Sequence, residues 1–261
     1  MTNTLTVRSI AAMLLAVFGV SLAACDQVEA LSEPTYRIVV GLDREALEDR
    51  DLNAEQLDAA IQSTIEVISR RIDATGSAGH RVSDLGKGRL AVDFPGNLDP
   101  ESAKNLLGIT AKLEIKLVDV TALPTDVAKG VYPPGSEIVP MRDGSGQVAL
   151  KRLGGLRGKN ISRAQVGYNE SSNAPVVNVE FDEKGAKRFA VLTTANVGSP
   201  MAIVLDDEII SMPIIAEPIV GGQVQISGNF TQGSANELAI MLNSGALPVP
   251  LVILEERALG N

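Results

Sequence analysis

Residues 89–120 read RLAVDFPGNLDPESAKNLLGITAKLEIKLVDV. In Arg89 to Phe94 the apolar side chains fall at every second position, the period of a half-buried strand, and Pro95-Gly96 stops it. Asp99 before Pro100 suits the N-cap and first turn of a short helix through Leu107. Lys112 to Val120 alternates again, predicting a further strand. Working outward, Gly86-Lys87-Gly88 joins this stretch to a strand at Arg81 to Leu85, a hairpin signal. Asn53 is a candidate N-cap for a long helix whose Leu57, Ile61, Ile65, Ile68 and Ile72 recur at threes and fours; Gly76 and Gly79 end it. Tyr36 to Val40, rich in β-branched residues, reads as the first strand.

The resulting order, β-α-β-β-α-β, is the split βαβ arrangement of ferredoxin-like domains. Between Thr121 and Asn160 periodicity fades and four prolines and seven glycines accumulate, which reads as a long connection or boundary. The same order then recurs. Val176 to Phe181 is a strand, and a helix follows from Glu183 to Asn196 with Phe189 and Leu192 on one face. Met201 to Leu205 and Ile209 to Ile215 flank a tight turn at Asp206-Asp207-Glu208. A strand within 223–230, a helix capped by Thr231 with Leu238, Met241, Leu242 and Gly245 on one face, and a last strand at Leu251 to Leu254 complete it. The predicted fold class is α+β with two ferredoxin-like subdomains. One continuous sheet with helices on one side is the alternative.

Cys25, the single cysteine, closes the run Leu22-Ala23-Ala24-Cys25. Ahead of it lie one charge, Arg8, and an apolar core from Ile10 to Val20, shorter than the ~20 residues of a membrane span. A short aliphatic–small–small run before an obligatory Cys is the pattern of a bacterial lipoprotein signal; an ordinary cleaved signal with a nearby Cys is the alternative. On the first reading residues 1–24 are removed, Cys25 is lipidated with palmitate among its acyl chains, and residues 25–35 form a tether. The protein is then exported and sits on a membrane by its acyl chains, two or three of which hold stably. Asp26 resembles the signal that retains such proteins at the inner membrane, so the expected site is its periplasmic face. An alkylated Cys25 leaves no thiol for a disulfide or a CxxC pair. The net charge of −9 and the 3% aromatic content argue against nucleic-acid partners.

Residue types suited to catalysis are sparse. His80 is the only histidine and reads as a solvated turn residue beside Gly79. Neither a nucleophile elbow nor a histidine-rich metal site can be assembled around it. Asp206-Asp207-Glu208 lacks EF-hand spacing and reads as a solvated hairpin tip. Gly154-Gly155 and Gly221-Gly222 lack the lysine-serine/threonine pair of a P-loop and the spacing of a dinucleotide fingerprint. The expectation is a non-enzyme with no catalytic residues, metal or cofactor.

The stretch PMAIVLDDEIISMPIIAEPIVGGQVQISGNFTQGSANELAIMLNSGALPVPLVILEER, residues 200–257, closely resembles the first periplasmic domain of the SecD protein-export family. Ala202 to Asp206, Ile210-Ser211, Pro213, Gly221-Gly222, Gln225 to Thr231, Gly245 to Pro248, Pro250 and Glu255 to Arg257 carry the match. Arg157-Gly158, Ile161, Ala164 and Pro133 to Glu137 extend it upstream. The R-R-I-D helix end at 70–73, the strand RLAVDFPG, DPESAKNLLG and TAKLEIKLVD extend it further. The resemblance implies a base subdomain (36–120), the Pro/Gly-rich connection (121–160), a head subdomain (161–246) inserted into the base, and a returning base strand (247–257). Gly245-Ala246-Leu247-Pro248 becomes the return hinge. SecD chains continue past the closing EER into transmembrane helices tied to proton-driven export; here Ala258 to Asn261 follow. The family's Asp-Gly turn is Asp206-Asp207, which disfavours positive φ there and predicts a different turn.

The function implied is a lipid-anchored, SecD-like binding protein that assists export without proton-coupling helices of its own. Its partners would be unfolded exported preproteins and Sec translocon subunits, with Met212, Pro213, Ile214 and Ile215 as candidate peptide contacts, or else a buried core strand. The alternative function is an envelope scaffold that binds one folded partner. Replacing Cys25 by Ser is expected to release the protein from membranes, read by fractionation and immunoblotting; retention of the variant would sink the lipid-anchor reading.

Overall fold

The computed structural model describes residues 34–48 and 51–259, so Cys25, Asp26, the segment 1–24 and most of the tether lie outside the described residues. The first strand, β1 (Pro34–Leu42), leads through a short α1 (Arg44–Glu48) to α2 (Ala54–Asp73). Asn53 caps α2 by a reciprocal box: its side chain accepts from the Gln56 N–H at 2.9 Å, and Gln56 accepts from the Asn53 N–H at 3.0 Å. Such a cap contributes about 1 kcal/mol. β2 (Arg81–Gly86) and β3 (Arg89–Pro95) form the expected hairpin, with Lys87 and Gly88 both at positive φ, the type I′ geometry that matches strand twist. α3 (Pro100–Gly108) follows, its Asp99 cap accepting from the Ser102 N–H.

The next strand departs from expectation. β4 (Leu113–Leu117) does not join β1 and β3. It enters a second sheet, after which α4 (Pro124–Val127), β5 (Ser136–Pro140), β6 (Gln147–Lys151) and β7 (Leu156–Arg157) follow. The stretch expected to be a bare connection therefore contains a hairpin, β5–β6, whose periodicity is masked by Pro140 and the turn glycines Gly144 and Gly146. Asp119 anchors it, accepting from Ser136 Oγ at 2.6 Å and from the Thr121 amide and hydroxyl. Those hydrogen bonds, Ser136's first, hold the Asp119 carboxyl below its ordinary range.

β8 (Ile161–Tyr168), β9 (Pro175–Phe181), α5 (Glu183–Ala195), β10 (Met201–Leu205), β11 (Glu208–Ser211), β12 (Gln223–Ile226) and α6 (Gln232–Ser244) complete the inserted half. They do not close one βαββαβ sheet as the repeated element order suggested. The strands divide between a three-stranded sheet, β12-β9-β8, and a four-stranded one, β11-β10-β4-β7. β10 is buried on both faces, which explains its unbroken apolar run MAIVL. Met201, Ile203 and Leu205 join a core that includes Phe181, Phe189, Leu238 and Leu242. Ala202 and Val204 face the β5–β6 hairpin, packing with Val139, Leu150 and Ile209.

The final strand, β13 (Leu251–Ala258), returns to pair antiparallel with β1, giving a first sheet of order β13-β1-β3-β2. Its inner face meets α2 and α3 through Ile38, Val40, Leu90, Phe94, Ile68, Ile72 and Leu107. On the other face Arg37 makes a bidentate pair with Asp93, its direct cross-strand neighbour, at 2.5 and 2.8 Å. The 251–254 strand thus belongs with the first half, and 113–117 with the second. Periodicity marks a strand and its inward face, but both strands carry apolar inward residues suited to either core.

Phe189 is fully buried and meets Phe181 edge-on, ring centroids 5.3 Å apart. Phe189→Ala is expected to cost about 3–5 kcal/mol in urea unfolding. A cost below about 1 kcal/mol would show that the second core is not organised around this pair.

Candidate functional site

The chain crosses between the two cores twice, outward through Ile109-Thr110-Ala111 and back through Gly245-Ala246-Leu247. Both crossings meet Arg71, which is fully buried on α2. Its guanidinium donates to the carbonyls of Leu106 and Ile109 (2.6 Å to the latter), Thr110 (3.2 Å) and Gly245 (3.4 Å). Arg70 donates to the Ser244 carbonyl at 3.1 Å, and the Leu247 N–H to the Thr110 carbonyl at 2.9 Å. Burial pulls the Arg71 pKa down to about 10, against the nearby charge of Asp206, so the side chain stays charged at neutral pH. Helical phase could have found it: Arg71 falls three residues after Ile68 and seven after the buried Thr64.

From the other side, Asp206 gathers the outward crossing. Its carboxylate accepts from the Thr110 hydroxyl, the Ala111 N–H (3.1 Å) and the Lys112 N–H (2.8 Å). These bonds hold Ala111 at φ +61°, a region that a residue with a Cβ rarely adopts. Asp206 is therefore a buttress and not the solvated tip expected of it. Asp207 pairs with Lys112 at 3.0 Å and Glu208 with Arg142 at 3.0 Å. Asp206 and Asp207 both take positive φ, at +50° and +63°, so the turn is type I′ after all. Asp tolerates that region better than most residues, and the bonds to 110–112 stabilise it.

The expected peptide contacts do not share one environment. Met212 and Ile214 are exposed, at 41% and 68%, whereas Ile215 is a core residue and Pro213 lends its carbonyl to the Met201 N–H. Hydrogen bonds from Ile215 to Ser199, from Gly198 to Ile215 and from Ile219 to the Thr193 hydroxyl lay residues 213–219 along 193–201. Val197 and Val220, also exposed, extend this apolar strip, and Val191 stands exposed on α5. Val191 escaped sequence reasoning because only the inward face of α5 was followed, and Val197 and Val220 because they lie in turns without periodicity. Of the candidate hinge, Gly245 takes φ +87°, Leu247 is buried in the first core and Ala246 is exposed. The edge of β8 is covered at Ala164, whose N–H and carbonyl both pair with the Asn243 amide; β12 stands at the other edge.

His80 is not a solvated turn residue: its side chain is 15% exposed and Nδ1 lies 3.5 Å from the Asp73 carboxylate. Among the described residues there is no group of three or more His, Cys, Asp or Glu able to hold a metal ion. No helix among them is long and apolar enough to cross a membrane.

Residues 136–249 match the family model of the SecDF P1 head subdomain, and residues 61–120 that of the N-terminal part of the SecDF P1 domain. The SecD protein translocase subunit of Rickettsia bellii is 40% identical over 207 residues, covering 79% of this chain and 40% of that protein. The corresponding subunit of Syntrophobacter fumaroxidans is 40% identical over 210 residues, 77% of this chain and 39% of its own length. A crystal structure of SecDF in a super-membrane-facing form superposes with a TM-score of 0.67 at 29% identity, covering 86% of this chain and 30% of that one. A second structure, of a membrane component SecDF that enhances protein export, gives 0.63 at 28% identity and covers 85% of this chain and 100% of that one. The chain belongs to the SecD/SecDF P1-domain family. It spans about 40% of the length of these curated relatives.

Leaving the four carbonyls bound by Arg71, one contact buried and three part-buried, without their charged donor costs about 3 kcal/mol, whereas an exposed arginine contributes about 1 kcal/mol or less. Urea unfolding is therefore expected to show Arg71→Met destabilised by that larger amount and Arg70→Met little changed. Equal losses would mean that the crossings do not depend on Arg71.

Proposed function

We propose that this chain is a SecD-type periplasmic binding domain that assists Sec-dependent protein export. It would contact emerging, unfolded preprotein or subunits of the translocon. The P1 family membership supports the export role, since the relatives are translocase subunits. The observation that carries the contact is the exposed apolar strip through Met212 and Ile214, laid along the end of α5 in the inserted half. Extended apolar polypeptide offers the complementary surface, and the edge of β12 offers main-chain pairing beside it.

In this reading the β13-β1-β3-β2 sheet with α2 and α3 is the base, a split βαβ subdomain closed by the returning strand. The inserted half is the head, and Gly245 to Pro248 is the return hinge between them. Cys25 supplies the lipid anchor and Asp26 the inner-membrane address. No enzymatic step is assigned.

The test is photo-crosslinking of the full chain in native membranes, with the probe at Ile214 and a control at Leu85, exposed on β2. Recovery of translocon subunits and many exported precursors from Ile214, and few from Leu85, is expected. A single folded envelope protein in place of precursors would replace this reading by that of an adaptor.

A further inference from the structure

The polar face of β4 opens into a cleft of about 430 Å³ roofed by the loop 152–157. Six cations line it: Lys112, Lys116, Arg152, Arg157, Lys159 and Arg188. Only three carboxylates face them, those of Glu114, Glu137 and Asp207, in a chain whose net charge is −9. Glu114 is nearly buried and already shared, with Lys116 at 2.9 Å, Arg157 at 3.7 Å and Lys112 at 3.8 Å. Arg152 reaches Glu137 at 3.9 Å, and among the described residues Arg188 donates only to the Gly155 carbonyl, at 3.2 Å. Lys159 has no hydrogen-bond or ion-pair partner among the described residues. An excess of three positive charges is thus concentrated where the rest of the molecule is acidic, and a concave wall focuses that field.

The loop is built for close approach. A Cβ on Gly155 would lie 2.4 Å from the Ile115 carbonyl oxygen, so the backbone rests directly on β4 and only glycine fits. Gly154 and Arg188 also line a second, apolar groove of about 510 Å³ along α5, with Val191, Leu192 and Ala195. Leu153, 85% exposed, sits on the same loop. Basic and apolar compartments therefore meet at one loop.

We infer that this double cleft binds an acidic, apolar-flanked polypeptide segment, its Asp or Glu side chains in the basic compartment and a neighbouring apolar side chain against α5. This rests on the reading of the chain as a polypeptide-binding domain and names the chemistry that it selects. The excess of cations in the cleft complements Asp and Glu side chains, and the apolar groove that adjoins it along α5 complements an apolar side chain beside them on the same segment. An acidic segment and this cleft attract each other, whereas the acidic remainder of the surface repels it.

The test is fluorescence anisotropy on the detergent-solubilised full chain with a labelled 12-residue peptide of alternating Asp and Leu, against its Asn and Leu analogue. The acidic peptide is expected to bind about tenfold more tightly, with the preference reduced several-fold by 1 M salt. Lys159→Glu with Arg152→Gln, both at exposed positions, is expected to abolish the preference while circular dichroism stays unchanged. Equal binding of both peptides, or a preference that survives the charge changes, would overturn the inference. So would charge-dependent binding to phosphatidylglycerol vesicles without peptide binding, which would mark a lipid site. Ile214 lies outside the cleft, so loss of export partners at Ile214 with acidic-peptide binding intact defeats the export reading alone.

Discussion

One buried guanidinium ties the two halves of the molecule together. Arg71 issues from the helix of the first core, and its two terminal nitrogens donate to carbonyls of both chain crossings and of α3, while Nε has no hydrogen-bond partner among the described residues. A lysine could not do this, because the spread of carbonyls needs a planar fork of donors and not a point charge. Desolvating the charge is costly, and its binding to four carbonyls, with Asp206 nearby, offsets that cost. Asp206 completes the arrangement from the opposite side by holding the backbone of 110–112. With both crossings held, β4 is directed into the second core and β13 is free to close the first sheet.

That routing positions the surfaces on which the function is read. Sheet β11-β10-β4-β7 is covered on one face by the second core and on part of the other by the β5–β6 hairpin. What the hairpin leaves uncovered is the polar side of β4, where the cations gather. The apolar strip at Met212 and Ile214 lies apart from it, held by hydrogen bonds to the segment after α5. The apolar strip and the basic cleft thus occupy separate parts of one inserted half.

Much of the local structure was legible. The caps at Asn53, Asp99 and Thr231, the 81–94 hairpin, and the helices α2, α5 and α6 all follow from side-chain chemistry within a few residues. The β5–β6 hairpin was not, because glycine and proline dilute its pattern. Of the four residues at 212–215 singled out in the sequence, Met212 and Ile214 are exposed and Ile215 is buried, a division that a run of apolar residues does not reveal. Asp206 looked like a solvated tip because nothing near it in sequence shows that Thr110, Ala111 and Lys112 will fold against it.

By itself, the sequence determined most of the helices and strands, the apolar face of each of these, and the resemblance to an export family, while β5, β6 and β8 and the ends of β11 and β13 escaped it. These are short-range properties, set by capping, periodicity and turn chemistry. Only the tertiary structure decided which sheet each strand joins, that Arg71 is buried at the crossing, and that six cations converge on one cleft. Those outcomes depend on contacts between residues 174 positions apart, as from Arg71 to Gly245, and 220 apart, as from Tyr36 to Glu256, and a local pattern carries no record of its distant partner.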